Sequence, residues 1–245
     1  MGSQYAGKDA VLPQLTVLSR DYQDIMVANL ENETKDLLQR ASHALADGQI
    51  IAHPTETVFG LAVDPFNPTA LHQLLQLKGR DANKGFILLI PDGYWLNRLV
   101  EPPSPLAKRL IHHFWPGPLT LVLPARPGLP MAVTGGSDLL AVRHSSSPLV
   151  EALLRIWQKP LVSTSANPTG QPPARSAAEV QQYWSTTVTI ILTGPGSTDT
   201  QPSTLLQVVA DRARLLREGS LTVAHIQTKV PEILEKLENR HPTHR

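Results

Sequence analysis

The sequence predicts an α/β fold, a single domain in which a twisted mixed sheet carries helices packed on it. Three observations predict it. Stretches with apolar residues at helical spacing alternate along the chain with short apolar runs that read as strands. No internal repeat and no linker divides the 245 residues, which suffice to bury one sizeable core. Two β-like segments follow one another near the C-terminal end in the manner of a hairpin, which makes the sheet mixed instead of purely parallel.

Each element has its own warrant. Residues 1–30 show no sustained periodicity and read as an N-terminal extension, set apart from a main domain over 31–220 and a helical tail over 221–245. Leu37, Leu38, Ala41, Ala44 and Leu45 recur at helical spacing, and Gly48 stands where a C-terminal stop belongs. Residues 49–53 form a short apolar strand that runs into Pro54. Asn67 caps a second helix, Pro68 fits its first turn, and Leu71, Leu74 and Leu75 give it an apolar face that ends near Lys78-Gly79. Residues 86–90 are continuously apolar, as in a strand covered on both faces. Ser104-Pro105 opens a helix that Pro116-Gly117-Pro118 stops. Residues 119–123 and 139–143 read as strands, and Ser147-Pro148 opens the next helix. A strand over 161–164, a proline-rich loop over 168–175, a helix from Ser176 and a strand over 188–192 follow. A polar loop over 194–202 precedes the β-like segments near 205–209 and 214–217, and residues 231–240 pattern as a charged amphipathic helix.

Composition narrows the function. The net charge is +1, which argues against indiscriminate nucleic-acid binding over the whole surface. Between Lys78 and Arg126, however, seven Lys/Arg face three acids, a local excess that suits phosphates or RNA. The absence of cysteine removes disulfides, thiolate catalysis and Cys-ligated zinc or iron–sulfur centres. No apolar run reaches membrane-spanning length and the start lacks a secretory pattern, so a cytoplasmic protein without membrane association is expected.

Three clusters carry the candidate chemistry, all at strand or helix ends where α/β sites usually lie. In His53-Pro54-Thr55-Glu56-Thr57-Val58-Phe59-Gly60, proline fixes the exit from a strand, and hydroxyls and amides follow that suit a small polar ligand or an ordinary capped turn. In Lys78-Gly79-Arg80, with Lys84 beyond, cations stand at a helix end, fit for a triphosphate or for the helix dipole. Ser163-Thr164-Ser165-Ala166-Asn167 puts hydroxyls and an amide at a strand end, suited to a nucleotide or to a turn. Arg143, ending an apolar strand, needs an anionic partner. No Walker loop, nucleophile elbow or histidine metal motif is present.

Taken together and in order, these motifs resemble the YrdC/TsaC family over about residues 33–220. The likeness adds Trp-Pro-Gly-Pro-Leu-Thr (115–120), Ala-Val-Arg (141–143), Pro-Ser-Thr (202–204) and Leu-Arg-Glu-Gly (216–219) to the three clusters. The resemblance implies a YrdC-like domain that makes threonylcarbamoyl-AMP from L-threonine, bicarbonate and ATP and releases pyrophosphate. The product then feeds proteins that transfer the threonylcarbamoyl group to tRNA. It implies that Lys78 and Arg80 are catalytic and that Lys78, Arg80 and Lys84 lie along the ATP phosphates. Thr55, Arg143 and Ser203 take the threonine or carbamate end. Ser165, Asn167, Arg175 and Arg217 bind the nucleotide. Mg²⁺ is expected to be held through the phosphates, with no residue of the chain as a metal ligand. A non-catalytic RNA-binding factor in tRNA or ribosome maturation is the competing expectation. Asp81 stands where the family often has proline, and about 25 residues follow Gly219, which likens the chain to the short form of the family, without a second C-terminal domain.

Overall fold

Short polar side chains start most helices of this chain, and prolines fix several first turns. The computed structural model describes residues 32–79, 81–193, 201–233 and 237. It opens on α1 (Asn32–Ala46), whose stripe of Leu38, Ala41, Ala44 and Leu45 is buried. Strands β1 (Ile51–His53) and β2 (Gly60–Val63) pair antiparallel, with His53 opposite Gly60. Helix α2 (Pro68–Lys78) begins at Asn67, whose side chain accepts from the Ala70 amide. It ends at Gly79, which takes the left-handed backbone at φ 55° and returns its amide to Gln76 and Leu75. A 3-10 turn over Ala82–Lys84 leads into β3 (Ile87–Leu89).

Helices α3 (Gly93–Leu99) and α4 (Pro105–Phe114) are capped by Asp92 and Ser104. Next come β4 (Leu119–Pro124), the single turn α5 (Met131–Thr134) and β5 (Leu139–Arg143). Helix α6 (Pro148–Trp157), β6 (Leu161–Ser165), and α7 (Ala177–Tyr183) behind its Ser176 cap follow. The chain closes with β7 (Ile190–Ile191), β8 (Thr204–Val209), β9 (Arg212–Arg217) and α8 (Val223–Lys229).

Among the described residues the strands make one nine-stranded sheet in the order β7-β1-β2-β6-β3-β5-β4-β8-β9. Parallel pairs (β1–β7, β3–β5, β4–β8) stand beside antiparallel ones. The mixed α/β sheet read from the sequence is therefore the fold.

Strand alternation divides the two faces. One face sends Leu61, Val63, Leu88, Leu140, Val142 and Leu206 into the main core, which also takes buried residues of α2, α4, α7 and α8. The other face is covered at one end only. There Ile51, Ala62, Leu89 and Leu161 pack with residues of α1 and α6 in a second cluster. The remainder of that face, from β2 across to β8, is an open concavity.

Some elements were not legible in the sequence. β2 falls in and just after the stretch read as a turn. It is four residues long, and its extended form follows from β1 on one side and β6 on the other. Helices α3 and α5 are seven and four residues long, too short to display a period. Residues 1–30, most of the loop over 194–202, and most of the expected helix over 231–240 lie outside the described residues. Ile226, Val230 and Ile233 are buried in the main core. No helix among the described residues is long and apolar enough to cross a membrane.

Leu88, fully buried at the centre of the sheet, tests the main core. Leu88→Ala is expected to cost about 2–5 kcal/mol, read as a lower urea midpoint with an unchanged slope.

Candidate active site

The uncovered face holds a cavity of about 400 Å³. On β5, Leu139, Ala141 and Arg143 line it while Leu140 and Val142 point into the core. On β8, Leu205 and Gln207 line it while Leu206 and Val208 do not. Ser163 and Ser165 of β6 and Ile87 and Leu89 of β3 complete the floor. The β1–β2 connection, with Thr55 and Thr57, forms one wall. The 3-10 turn with Lys84 forms another, and Ser203 and Arg217 a third.

The β1–β2 connection is held by its own hydroxyls. Thr55 Oγ1 donates to the Val58 carbonyl at 2.7 Å and accepts from the amides of Thr57 (3.0 Å) and Val58 (3.2 Å). Thr57 Oγ1 lies 2.8 Å from Thr55 Oγ1. This is a hydroxyl-closed turn within a hairpin, not the start of a helix.

Arg143 is buried and finds its anionic partner inside the chain: Nη2 stands 2.8 Å from Glu56 Oε1. Its Nε donates to the Gly117 carbonyl at 3.1 Å, and its two Nη atoms donate to Thr57 Oγ1 at 3.3 and 3.4 Å. Glu56 in turn accepts from the Ser145 hydroxyl and from the Ser146 amide at 2.9 Å. Burial pushes the Glu56 carboxyl up. The Arg143 charge and these hydrogen bonds outweigh burial and hold it below the usual carboxylate range.

Arg217 is differently placed. Its Nε and Nη2 donate to the Ser203 carbonyl at 3.1 and 2.8 Å, and Nη2 reaches Ser203 Oγ at 3.3 Å. Among the described residues it has no carboxylate partner. Burial, and then the charge of Arg143, push its pKa below that of a free arginine. Ser203 Oγ also lies 2.8 Å from Thr120 Oγ1. The Pro-Ser-Thr and Leu-Arg-Glu-Gly segments meet because Thr204 Oγ1 accepts from the Gly219 amide at 2.9 Å and donates to the Leu221 carbonyl. A side chain on Gly219 would stand 2.0 Å from the Pro202 carbonyl oxygen, so only glycine permits this approach.

Thr55, Lys84, Arg143, Ser165, Ser203 and Arg217 thus line one cavity. Lys78 does not. It is buried, and its Nζ reaches the carbonyls of Ser165 (2.6 Å) and Asn167 (2.5 Å) and the Asn167 side-chain oxygen (3.1 Å). Its ammonium ties the end of α2 to the Ser-Ala-Asn turn. The Asn167 amide donates to the Pro168 and Gln171 carbonyls. Arg175 is exposed and off the cavity, with its amide on Glu179 Oε2. Arg80 lies outside the described residues. Asp81 caps the 3-10 turn by accepting from the Asn83 amide at 3.0 Å.

Sequence reading gave no role to Glu56, Thr57 or Ser145. Glu56 is the one acid of its motif, and its partners, 87–90 positions away, are visible only in the fold.

The fold is that of an α/β protein whose mixed sheet carries, on its open face, a cavity lined by Lys84, Arg143 and Arg217. The family model that covers the Sua5, YciO and YrdC proteins, described as Telomere recombination, matches residues 43–219. The chain belongs to this Sua5/YciO/YrdC family. The threonylcarbamoyl-AMP synthase of Photobacterium profundum is 39% identical over 186 residues, 75% of this chain and 100% of the relative. That of Halorhodospira halophila is 43% identical over 158 residues, 63% of this chain and 83% of the relative. The structure of P. abyssi Sua5 complexed with L-threonine superposes with a TM-score of 0.77 at 31% identity. The match covers 82% of this chain and 58% of that one. E. coli YciO matches in fold, with a TM-score of 0.68 at 22% identity over 76% of this chain and 90% of that one.

The buried histidine His53 sets an acid limit on stability. Burial lowers its pKa from 6.5 to about 4. The unfolded chain therefore takes up this proton at a higher pH than the folded one, and stability falls as pH falls between those values, by up to about 3 kcal/mol. His144, also lowered by burial, acts in the same direction. Urea unfolding across pH 7 to 4 is expected to show this loss, with a shallower slope in His53→Gln.

Proposed function

We propose that this chain catalyses the formation of L-threonylcarbamoyladenylate from L-threonine, bicarbonate and ATP, with release of pyrophosphate, as a nucleotidyltransferase serving tRNA modification. The observation that carries the reading is the charge of the cavity. Lys84, Arg143 and Arg217 all line it, burial and then the Arg143 charge push the Arg217 pKa down, and none of the described lining residues is a carboxylate. Such a site calls for a polyanion. The likeness to the P. profundum synthase, over that relative's whole length, supports ATP as the polyanion and threonine as its partner.

The chemistry asks little covalent work of the protein. Threonine's neutral amine and bicarbonate give a carbamate with loss of water. A carbamate oxygen then attacks the α-phosphorus in line, the bond to the bridging oxygen breaks, and pyrophosphate leaves. Catalysis comes from alignment and from cations opposite the charge that develops on the phosphates. In this reading Arg143, with Thr55 and Ser203 nearby, orients the threonine carboxylate. Arg217 and Lys84 face phosphate oxygens, Arg80 joins them, and Ser165 takes the nucleoside. Asn167 and Arg175 border the nucleotide from the adjoining loop. Lys78 contributes by holding the Ser165–Asn167 turn in place.

Among the described residues no group of three His, Asp or Glu stands together as a metal site. In this reading Mg²⁺ would be carried by the phosphates, where it would neutralise part of their charge.

The purified protein is expected to release pyrophosphate from ATP only when threonine and bicarbonate are both present. No release, together with salt-sensitive RNA binding, would favour the RNA-binding reading, and threonine-independent release would overturn the synthase reading. Arg217→Ala is expected to lower kcat/KM for ATP by about 10- to 100-fold, the loss of one charge-assisted contact, with a melting temperature close to the parent. Arg80→Ala is likewise expected to depress ATP use far more than thermal stability. Parent-like activity would remove that residue from the site.

A further inference from the structure

The cavity does not use every cation of the excess between Lys78 and Arg126. Arg98 is exposed on α3, and among the described residues no carboxylate pairs with it. It stands instead among rings. Its guanidinium carbon lies 5.4 Å from the ring centre of Tyr94 and 5.7 Å from that of Trp95, and its Nη1 donates to the Tyr94 hydroxyl at 3.2 Å. Tyr94 meets Trp95 edge-on at 5.9 Å, and Phe66, just beyond β2, stacks on Trp95 at 6.0 Å. Tyr94 is nevertheless 61% exposed and Phe66 42%.

The cluster lies apart from the cavity. Leu96 and Leu99 anchor α3 in the main core, so the rings ride on the helix-covered face of the sheet, and none of the four residues lines the cavity. Its other polar groups are already spent. Trp95 Nε1 donates to the Gln158 carbonyl at 3.0 Å. Asp64 accepts from the Phe66 amide at 2.8 Å and pairs with Lys159 at 3.6 Å, and Asp92 accepts from the Trp95 amide at 3.0 Å. What the patch offers a partner is exposed aromatic surface around one guanidinium.

We propose that Phe66, Tyr94, Trp95 and Arg98 form a docking site for a protein partner that presents an acidic side chain beside apolar ones. The proposal goes beyond the reaction proposed above and does not rest on it. Tyr, Trp and Arg packed together are the residues that dominate protein–protein binding energy. Their mutual contacts hold the side chains in place before a partner arrives, which lowers the entropy cost of docking. Charge complementarity then selects the partner, since Arg98 accepts a carboxylate by its two-pronged geometry. Two other occupants fit less well. A single-stranded nucleic acid needs a track of cations for successive phosphates, whereas Lys159 is paired with Asp64 and Arg98 stands without a companion in the cluster. A second copy docked about a two-fold axis would set the patch against itself, and its carboxylates, Asp64 and Asp92, are engaged within the chain.

The probe is a short fluorescein-labelled peptide that alternates Glu with Leu and Pro, titrated with the full chain and read by anisotropy. Counterparts carry Gln or Lys in place of Glu. The acidic peptide should bind, and the Gln counterpart should bind about tenfold more weakly. Arg98→Ala and Tyr94→Ala should each weaken the acidic peptide about 5- to 30-fold, the loss of a dominant interface contact. Arg98→Glu should reject the acidic peptide and take up the Lys counterpart, a reversal that a merely structural role for Arg98 would not produce. Threonine-dependent pyrophosphate release should stay at the parent's level in these variants. A parent that ignores the acidic peptide, or an Arg98→Ala variant that binds it unchanged, overturns the proposal. So does binding of a single-stranded RNA in its place with loss in Tyr94→Ala, which would make the patch a nucleic-acid surface. Self-association that Tyr94→Ala abolishes in sedimentation would likewise overturn it, by making the patch an interface between copies.

Discussion

The ion pair between Glu56 and Arg143 is the contact on which the rest of the site hangs. The two side chains are only 17% and 6% exposed, so water screens them little. Removing one partner of such a pair typically costs about 3–5 kcal/mol, because the other charge is left buried and uncompensated. Through these two residues the β1–β2 connection, the end of β5, the Gly117 carbonyl and the segment at Ser145 and Ser146 are joined at one point. The pair also divides labour between the arginines of the cavity. Arg143 has its charge balanced by Glu56, whereas Arg217 lines the cavity with no carboxylate partner among the described residues. The two guanidiniums of the cavity are therefore not equivalent.

A second tie works at longer reach. Lys78 closes α2 and grips the Ser165 and Asn167 carbonyls, while the Thr169 hydroxyl donates back to the Lys78 carbonyl. A helix C-terminus and a strand C-terminus are thus held together by an ammonium that coordinates main-chain oxygens. The tie is made wholly within the chain and sets the two ends side by side.

Much of the fold was legible because its signals are local. Asn67-Pro68 and Ser104-Pro105 open helices where capping chemistry says they should, and residues 139–143 form a strand with the bounds their apolar run suggests. The elements that were missed owe their form to neighbours. β2 is extended because strands flank it, and α5 is a single turn packed beside the 3-10 turn. For the site, residue types at strand ends were enough to single out the Thr55 turn, Arg143 and Ser165, whereas Ser203 and Arg217 came only from the family resemblance. The sequence could not show that Arg143 already has a carboxylate, that Lys78 is turned inward, or that Asp81 caps a turn. Each of those depends on a pairing across the fold or on one side-chain direction that no spacing rule encodes.

The alternation of strand faces carries a consequence for how this site can change. Cavity and core draw on alternate residues of the same strands: Leu139, Ala141 and Arg143 against Leu140 and Val142 on β5, Leu205 and Gln207 against Leu206 and Val208 on β8. A slip of one residue in either strand would turn the arginine or the glutamine into the hydrophobic layer and a valine or leucine into the binding face. Insertions and deletions are therefore barred from these strands and confined to the loops between them. Drift in this cavity must proceed by replacing side chains in place, with the backbone frame inherited whole.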